Sequence, residues 1–65
     1  MIYINDLYDV VFYNKSGEYH RLNGPAFIDG NYQEWCKNGE YHRIGGPAII
    51  HGNYQAWYLN GKRIK

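Results

Sequence analysis

The sequence predicts an all-β protein: an antiparallel meander of β-hairpins built from two 22-residue repeats with degenerate end caps. Three observations predict it. Residues 18–39 and residues 40–61 align without a gap and agree at 15 of 22 positions, so the chain states one small supersecondary unit twice. Turn chemistry recurs in step with the repeat, as Asn38-Gly39 and Asn60-Gly61 in one series and Asp29-Gly30-Asn31 and His51-Gly52-Asn53 in another. The runs between these turns are short and rich in β-formers, and none shows the 3.6-residue apolar period of a helix.

Residues 1–17 read as a degenerate N-terminal cap. Within them a strand is expected from Asp9 to Tyr13, followed by a turn at Ser16-Gly17. Aligned without a gap, Tyr13-Asn14-Lys15-Ser16-Gly17 falls in register with Trp35-Cys36-Lys37-Asn38-Gly39. The first repeat, 18–39, opens with Tyr19-His20-Arg21 on an extended strand end or loop along one edge. Gly24-Pro25 marks where the chain re-enters the sheet, because proline cannot donate to a ladder and belongs at a strand's first residue or at an edge. Strands are expected at Ala26 to Ile28 and Tyr32 to Cys36, before the Asn38-Gly39 turn, whose two residues both tolerate positive φ. The second repeat, 40–61, follows the same order: Tyr41-His42-Arg43, Gly46-Pro47, strands at Ala48 to Ile50 and Tyr54 to Leu59, and the turn at Asn60-Gly61. Residues 62–65 form a C-terminal tail. One hairpin per repeat is expected.

At 65 residues the chain is one domain, and a chain of this length buries only about 60% of its unfolded surface. One cysteine, Cys36, rules out an intramolecular disulfide and fits a reducing compartment, the cytoplasm. The first residues lack a basic, apolar leader, and no stretch reads as membrane-spanning. The net charge of +1 names no partner class by itself. The composition is weighted to aromatics: eight Tyr, two Phe and two Trp. On a continuous strand Gln33 and Trp35 share one face, while Tyr32, Glu34 and Cys36 share the other. Both faces of a thin sheet would then carry rings, and self-association into a homo-oligomer is the expected way to cover one of them.

The residues that could carry recognition are Tyr19, His20, Arg21, Tyr41, His42 and Arg43 as a polar contact row, with Trp35 and Trp57 as anchors. An Arg fork takes carboxylate or phosphate bidentately, and tryptophan is a frequent interface hot spot. The bland reading of His42 is a side chain bonded to a loop carbonyl beside the Gly-Pro kink. Equivalent positions in successive hairpins lie two strands apart, roughly 9–10 Å, too far for His20 and His42 to share one metal. No metal or cofactor is expected. No nucleophile, P-loop or zinc-protease motif occurs, and the carboxylates Asp6, Asp9, Glu18, Asp29, Glu34 and Glu40 form no recognisable pair, so no enzyme is expected. Nucleic acid is a weaker competitor: rings and arginines could stack bases and hold phosphates, but acids are interspersed and only Lys62-Arg63-Ile64-Lys65 is a basic cluster.

The pattern Trp35-x-x-Asn38-Gly39-x-x-His42-Arg43-x-x-Gly46-Pro47-Ala48 resembles a repeat of small phage and bacterial proteins related to MORN-type hairpin repeats and to an antitoxin-like group. The resemblance covers about residues 13–61. It implies an open meander of hairpins acting as an interaction scaffold, with protein partners, oligomerisation and no catalytic residue set. The expected function is therefore a non-catalytic protein-binding module of phage or mobile-element type that occludes a host protein, a defence or toxin component. The alternative is an oligomeric binder of a nucleotide-like anion.

Overall fold

The computed structural model describes residues 2–3 and 10–65. The N-terminal cap reading falls partly on residues 1 and 4–9, as do Asp6 and Asp9, and these lie outside the described residues. The fold is all-β, and the described residues form ten short strands: β1 (Ile2–Tyr3), β2 (Val10–Phe12), β3 (Phe27–Asp29), β4 (Tyr32–Glu34), β5 (Cys36–Lys37), β6 (Glu40–Tyr41), β7 (Ile49–His51), β8 (Tyr54–Ala56), β9 (Tyr58–Leu59) and β10 (Lys62–Arg63). Six of them form an antiparallel sheet in the order β1-β2-β3-β4-β7-β8, while β5-β6 and β9-β10 form separate two-stranded ribbons. A bridge between Tyr13 and Tyr19 makes a third ribbon of the same kind.

The turns follow their residue chemistry. Asn38 and Gly39 have φ of 49° and 81°, and Asn60 and Gly61 repeat those values, as a type I′ hairpin turn requires at both central residues. Gly30 and Gly52 each have φ of 61° and open two-residue loops between Asp29 and Tyr32 and between His51 and Tyr54. That is the type II′ pattern, with the positive φ at the first central position only.

Each 22-residue period gives two hairpins, where one was expected: β3-β4 and β7-β8 lie inside their repeats, while β5-β6 and β9-β10 run across the repeat ends. The expected strand Tyr32 to Cys36 is broken at Trp35, and Tyr54 to Leu59 is broken at Trp57. The cause is that Trp35 serves two sheets. Its N–H donates to the Ala48 carbonyl at 2.7 Å, while its carbonyl accepts from the His42 N–H at 2.9 Å in the neighbouring ribbon. One residue cannot lie flat in both ladders, so the chain bends there. Trp57 keeps the ribbon half of this pattern: its carbonyl accepts from the Ile64 N–H at 2.8 Å, and its N–H donates to Lys65 O at 3.1 Å in the same terminal segment.

The bend lays the ribbons over one face of the main sheet. The sheet register aligns Val11, Phe27, Glu34, Ile49 and Ala56 as one cross-strand row. Of these, Val11, Phe27 and Ala56 are buried, as are Ala26, Cys36 and Ala48. Ribbon residues reach that face: Tyr19 stacks on Phe27 with ring centres 5.5 Å apart, and the Tyr41 hydroxyl donates to Glu34 at 3.4 Å. The second row of the sheet, Val10, Ile28, Gln33, Ile50 and Gln55, lies on the opposite face and is half-buried to exposed. The core is therefore a thin seam of small residues and rings. The Cα extents of 31 × 25 × 15 Å match two thin layers.

Candidate functional site

The Gly-Pro-Ala step places the site. Proline ends the loop, and the next residue joins the sheet at once: Ala26 N–H donates to Glu34 O at 2.7 Å and Ala48 N–H to Ala56 O at 2.8 Å. Both alanines are fully buried, so the two loops Arg21–Pro25 and Arg43–Pro47 are pinned at their ends and project beside each other.

Each loop is held by its own arginine. Arg43 lays its guanidinium carbon 3.8 Å from the centre of the Trp35 ring and donates from a terminal nitrogen to Pro47 O at 3.0 Å. Arg21 does the same with Phe12 at 4.1 Å and with Pro25 O at 3.2 Å. The glycine before the proline leaves the room: a Cβ on Gly46 would stand 2.8 Å from the Arg43 guanidinium carbon, and one on Gly24 would stand 2.7 Å from that of Arg21. The motif Arg-x-x-Gly-Pro is thus a cation folded over the one residue type that lets it lie flat. Lys65 takes the corresponding place above Trp57, with its ammonium 5.0 Å from the ring, so residues 62–65 begin the unit again in degenerate form.

That Arg21 rests on Phe12 corrects the alignment of the N-terminal cap. Phe12 occupies the place of Trp35: its N–H donates to Ala26 O as Trp35 N–H donates to Ala48 O, and His20 N–H donates to Phe12 O as His42 N–H donates to Trp35 O. Tyr13 pairs with Tyr19 as Cys36 pairs with Tyr41. The ribbon of the cap has one extra turn residue, which displaces the gapless register by one.

The histidines link one ribbon to the next. His20 Nδ1 accepts from the Asn38 N–H at 3.0 Å, and His42 Nδ1 accepts from the Asn60 N–H at 3.0 Å. Beside them the Gly39 N–H donates to Tyr19 O and the Gly61 N–H to Tyr41 O, each at 2.9 Å. Both amides of each I′ turn are thereby satisfied from the preceding ribbon, and each imidazole carries its proton on Nε2. His42 is bonded to a turn amide, not to a carbonyl beside the Gly-Pro kink.

Tyr41 and Tyr58 rings lie 5.0 Å apart, and Tyr32 also donates to the Glu34 carboxylate. Burial first, then the bonded Glu34 carboxylate, holds the Tyr32 hydroxyl above its ordinary titration range; burial and the charge of Glu34 raise Tyr41 as well. Cys36 is 2% exposed, and burial, with Glu34 adding to it, pushes its thiol up to about 12. Such a thiol is a packing group and a poor nucleophile.

A cleft of about 490 Å³ opens between the two loops, lined by Arg21, Leu22, Asn23, Gly24, Trp35, Lys37, His42, Arg43 and Ile44. It gathers four of the residues singled out in sequence, namely Arg21, Trp35, His42 and Arg43. Tyr19, His20, Tyr41 and Trp57 lie outside it. Leu22 and Ile44, at equivalent places in the two repeats, are 77% and 83% exposed, the most exposed large apolar side chains among the described residues. Sequence reasoning passed over them and Lys37. The available signal was an aliphatic residue kept in both copies of an otherwise polar loop. Among the described residues, no group of three His, Cys, Asp or Glu side chains is placed to hold a metal, and no helix is long and apolar enough to cross a membrane. No protein-family model matches the chain, and neither a curated protein nor a solved structure matches it.

Proposed function

We propose that this chain is a non-catalytic protein-binding module of phage or mobile-element type, which acts in the cytoplasm by covering the surface of a host protein, a defence or toxin component. The observation that carries the binding reading is the pair Leu22 and Ile44. One bare aliphatic tip stands on each pinned loop, with a cleft between them bearing three cationic side chains. Single exposed aliphatics are ordinary, but two at equivalent points on either side of one cationic cleft make a mixed apolar and charged surface suited to a protein partner. Tyr19, His20, Arg21, Tyr41, His42 and Arg43 support this surface from beneath by fixing loops and ribbons, and Trp35 forms part of the cleft wall. The phage and host-protein part rests on the resemblance of the repeat motif. Self-association belongs to the same reading, supported by β8, which ends the main sheet as an edge strand.

The test is capture from a bacterial host lysate with the parent and with Leu22→Glu/Ile44→Glu. The parent retains one protein at fixed stoichiometry and the variant does not, while both give the same melting temperature. Equal capture by the two proteins would overturn the reading. A second reading, a binder of a nucleotide-like anion, is favoured by the cleft itself. Its volume falls within the range of small-ligand sites, and Arg21, Lys37 and Arg43 line it with no carboxylate. A melting shift of several degrees with one compound of a nucleotide panel, and no protein captured, would select it.

A further inference from the structure

We infer that the cleft between the two loops is a docking groove for a linear acidic peptide segment that carries aliphatic side chains, an inference that deepens the protein-binding reading and rests on it. Three features of the lining fix the ligand chemistry. The charged side chains in it are Arg21, Lys37 and Arg43, and no aspartate or glutamate lines it. A chain of net charge +1 thus presents its positive charge locally at this place. Complementary carboxylates are steered to it and paired there. The apolar features are Leu22 and Ile44, which match aliphatic side chains.

The geometry favours an extended segment. The loops lead into β3 and β7, which are separated in the sheet by β4 alone. Strands two places apart are separated by about 9–10 Å, the length of about three residues of extended chain at about 3.3 Å each. In a polyproline II segment, at about 3.1 Å per residue, side chains three residues apart return to the same side, so two aliphatic side chains at that spacing, flanked by carboxylates, would meet Leu22 and Ile44 together. Nucleic acid fits less well. Trp35 is the one Phe, Tyr or Trp ring lining the cleft, and Arg43 lies over its face at 3.8 Å, so that face offers a base no stacking surface.

The test is selection from a random nine-residue peptide display library against the folded protein, with Lys37→Glu and Leu22→Ser/Ile44→Ser as counter-targets. Enrichment of Asp and Glu around a pair of Leu, Ile, Val or Met residues is expected. A selected peptide should bind at least about tenfold more weakly when its acids are changed to amides, and by a similar factor with Lys37→Glu, since tenfold corresponds to the loss of one good charged contact. Its binding should perturb the amide resonances of residues 22–24, 37 and 44, and weaken as salt rises. Several outcomes would overturn the inference: enrichment of basic or uncharged peptides, no enrichment at all, resonance changes confined elsewhere, or tighter binding of an oligothymidylate than of any peptide. Failure here with lysate capture intact would reject the peptide chemistry and leave the protein-binding reading standing. Failure of both would reject both.

Discussion

Changing Gly46 to alanine is expected to unseat Arg43 and to destabilise the protein by about 2 kcal/mol. The added Cβ would stand 2.8 Å from the guanidinium carbon and 3.0 Å from two of its nitrogens, so the side chain must leave. Two contacts leave with it. The stack on Trp35 at 3.8 Å is worth about 0.5–2 kcal/mol, and the charge-assisted bond to Pro47 O at 3.0 Å about 1.5 kcal/mol. Arg43 is half-buried, which favours the lower end of each range. The backbone itself makes no objection, because Gly46 is not among the positive-φ residues. In an Arg43→Ala background the same substitution should therefore cost nothing, and could return about 0.4–1 kcal/mol by restricting the unfolded chain. The assay is a double-mutant cycle by equilibrium urea unfolding. Each single variant loses about 2 kcal/mol, a fall of roughly 8–16 °C in melting temperature for a domain of this size. The double variant is no less stable than Arg43→Ala alone, which gives a coupling of about 2 kcal/mol. Additive losses, or a Gly46→Ala protein that melts like the parent, would refute the account of the Arg-x-x-Gly-Pro motif.

His42→Leu should cost about 1 kcal/mol by leaving the Asn60 amide to water. His42→Asn should recover most of that, because Oδ1 sits where Nδ1 does, and His42→Gln should not; thermal melts that rank the three otherwise would remove the histidine link. Gly39→Val should destabilise by about 2 kcal/mol or more, since φ is 81° and the new side chain would meet the Glu18 carboxylate, already 3.3 Å from the Cβ position; an unchanged urea midpoint would contradict it. Alkaline pH should unfold the protein through Cys36, whose thiol is pushed up to about 12 in the folded state from an ordinary value near 9. Between those values the unfolded chain has lost its proton and the folded chain keeps it, so stability falls by about 1.4 kcal/mol per pH unit. The raised Tyr32 and Tyr41 hydroxyls add to the fall from about pH 10. Melting temperatures of Cys36→Val should decline less steeply than the parent's above pH 9, and parallel curves would refute the assignment.

Turns were legible in the sequence because their chemistry is local. Asn38-Gly39 and Asn60-Gly61 take the positive φ values that their residue types permit, and Gly-Pro-Ala returns the chain to the sheet because proline cannot do otherwise. The bend at Trp35 was hidden, since apolar alternation does not reveal that a residue's N–H and C=O go to different sheets. The displaced register of the cap was hidden for a related reason: Phe12 and Tyr13 are both aromatic, and only their hydrogen bonds tell which one takes the tryptophan's place. The arginines were recognised as paired, but their seat was not, because it depends on the empty space over a glycine. A repeat read as a row of free polar groups is, in the folded chain, a row of links between neighbouring units. The exposed chemistry lies one residue further on, at Leu22 and Ile44.

This division of labour, with arginine and histidine holding the loops and the aliphatic tips meeting the partner, is tested most directly by setting melting temperature against capture for Leu22→Glu/Ile44→Glu. The account predicts a melting temperature within about 4 °C of the parent, as surface changes of about 0.5 kcal/mol give in a domain of this size, together with loss of the captured protein. Retained capture, or loss of capture that merely follows a collapse in melting temperature, would contradict it.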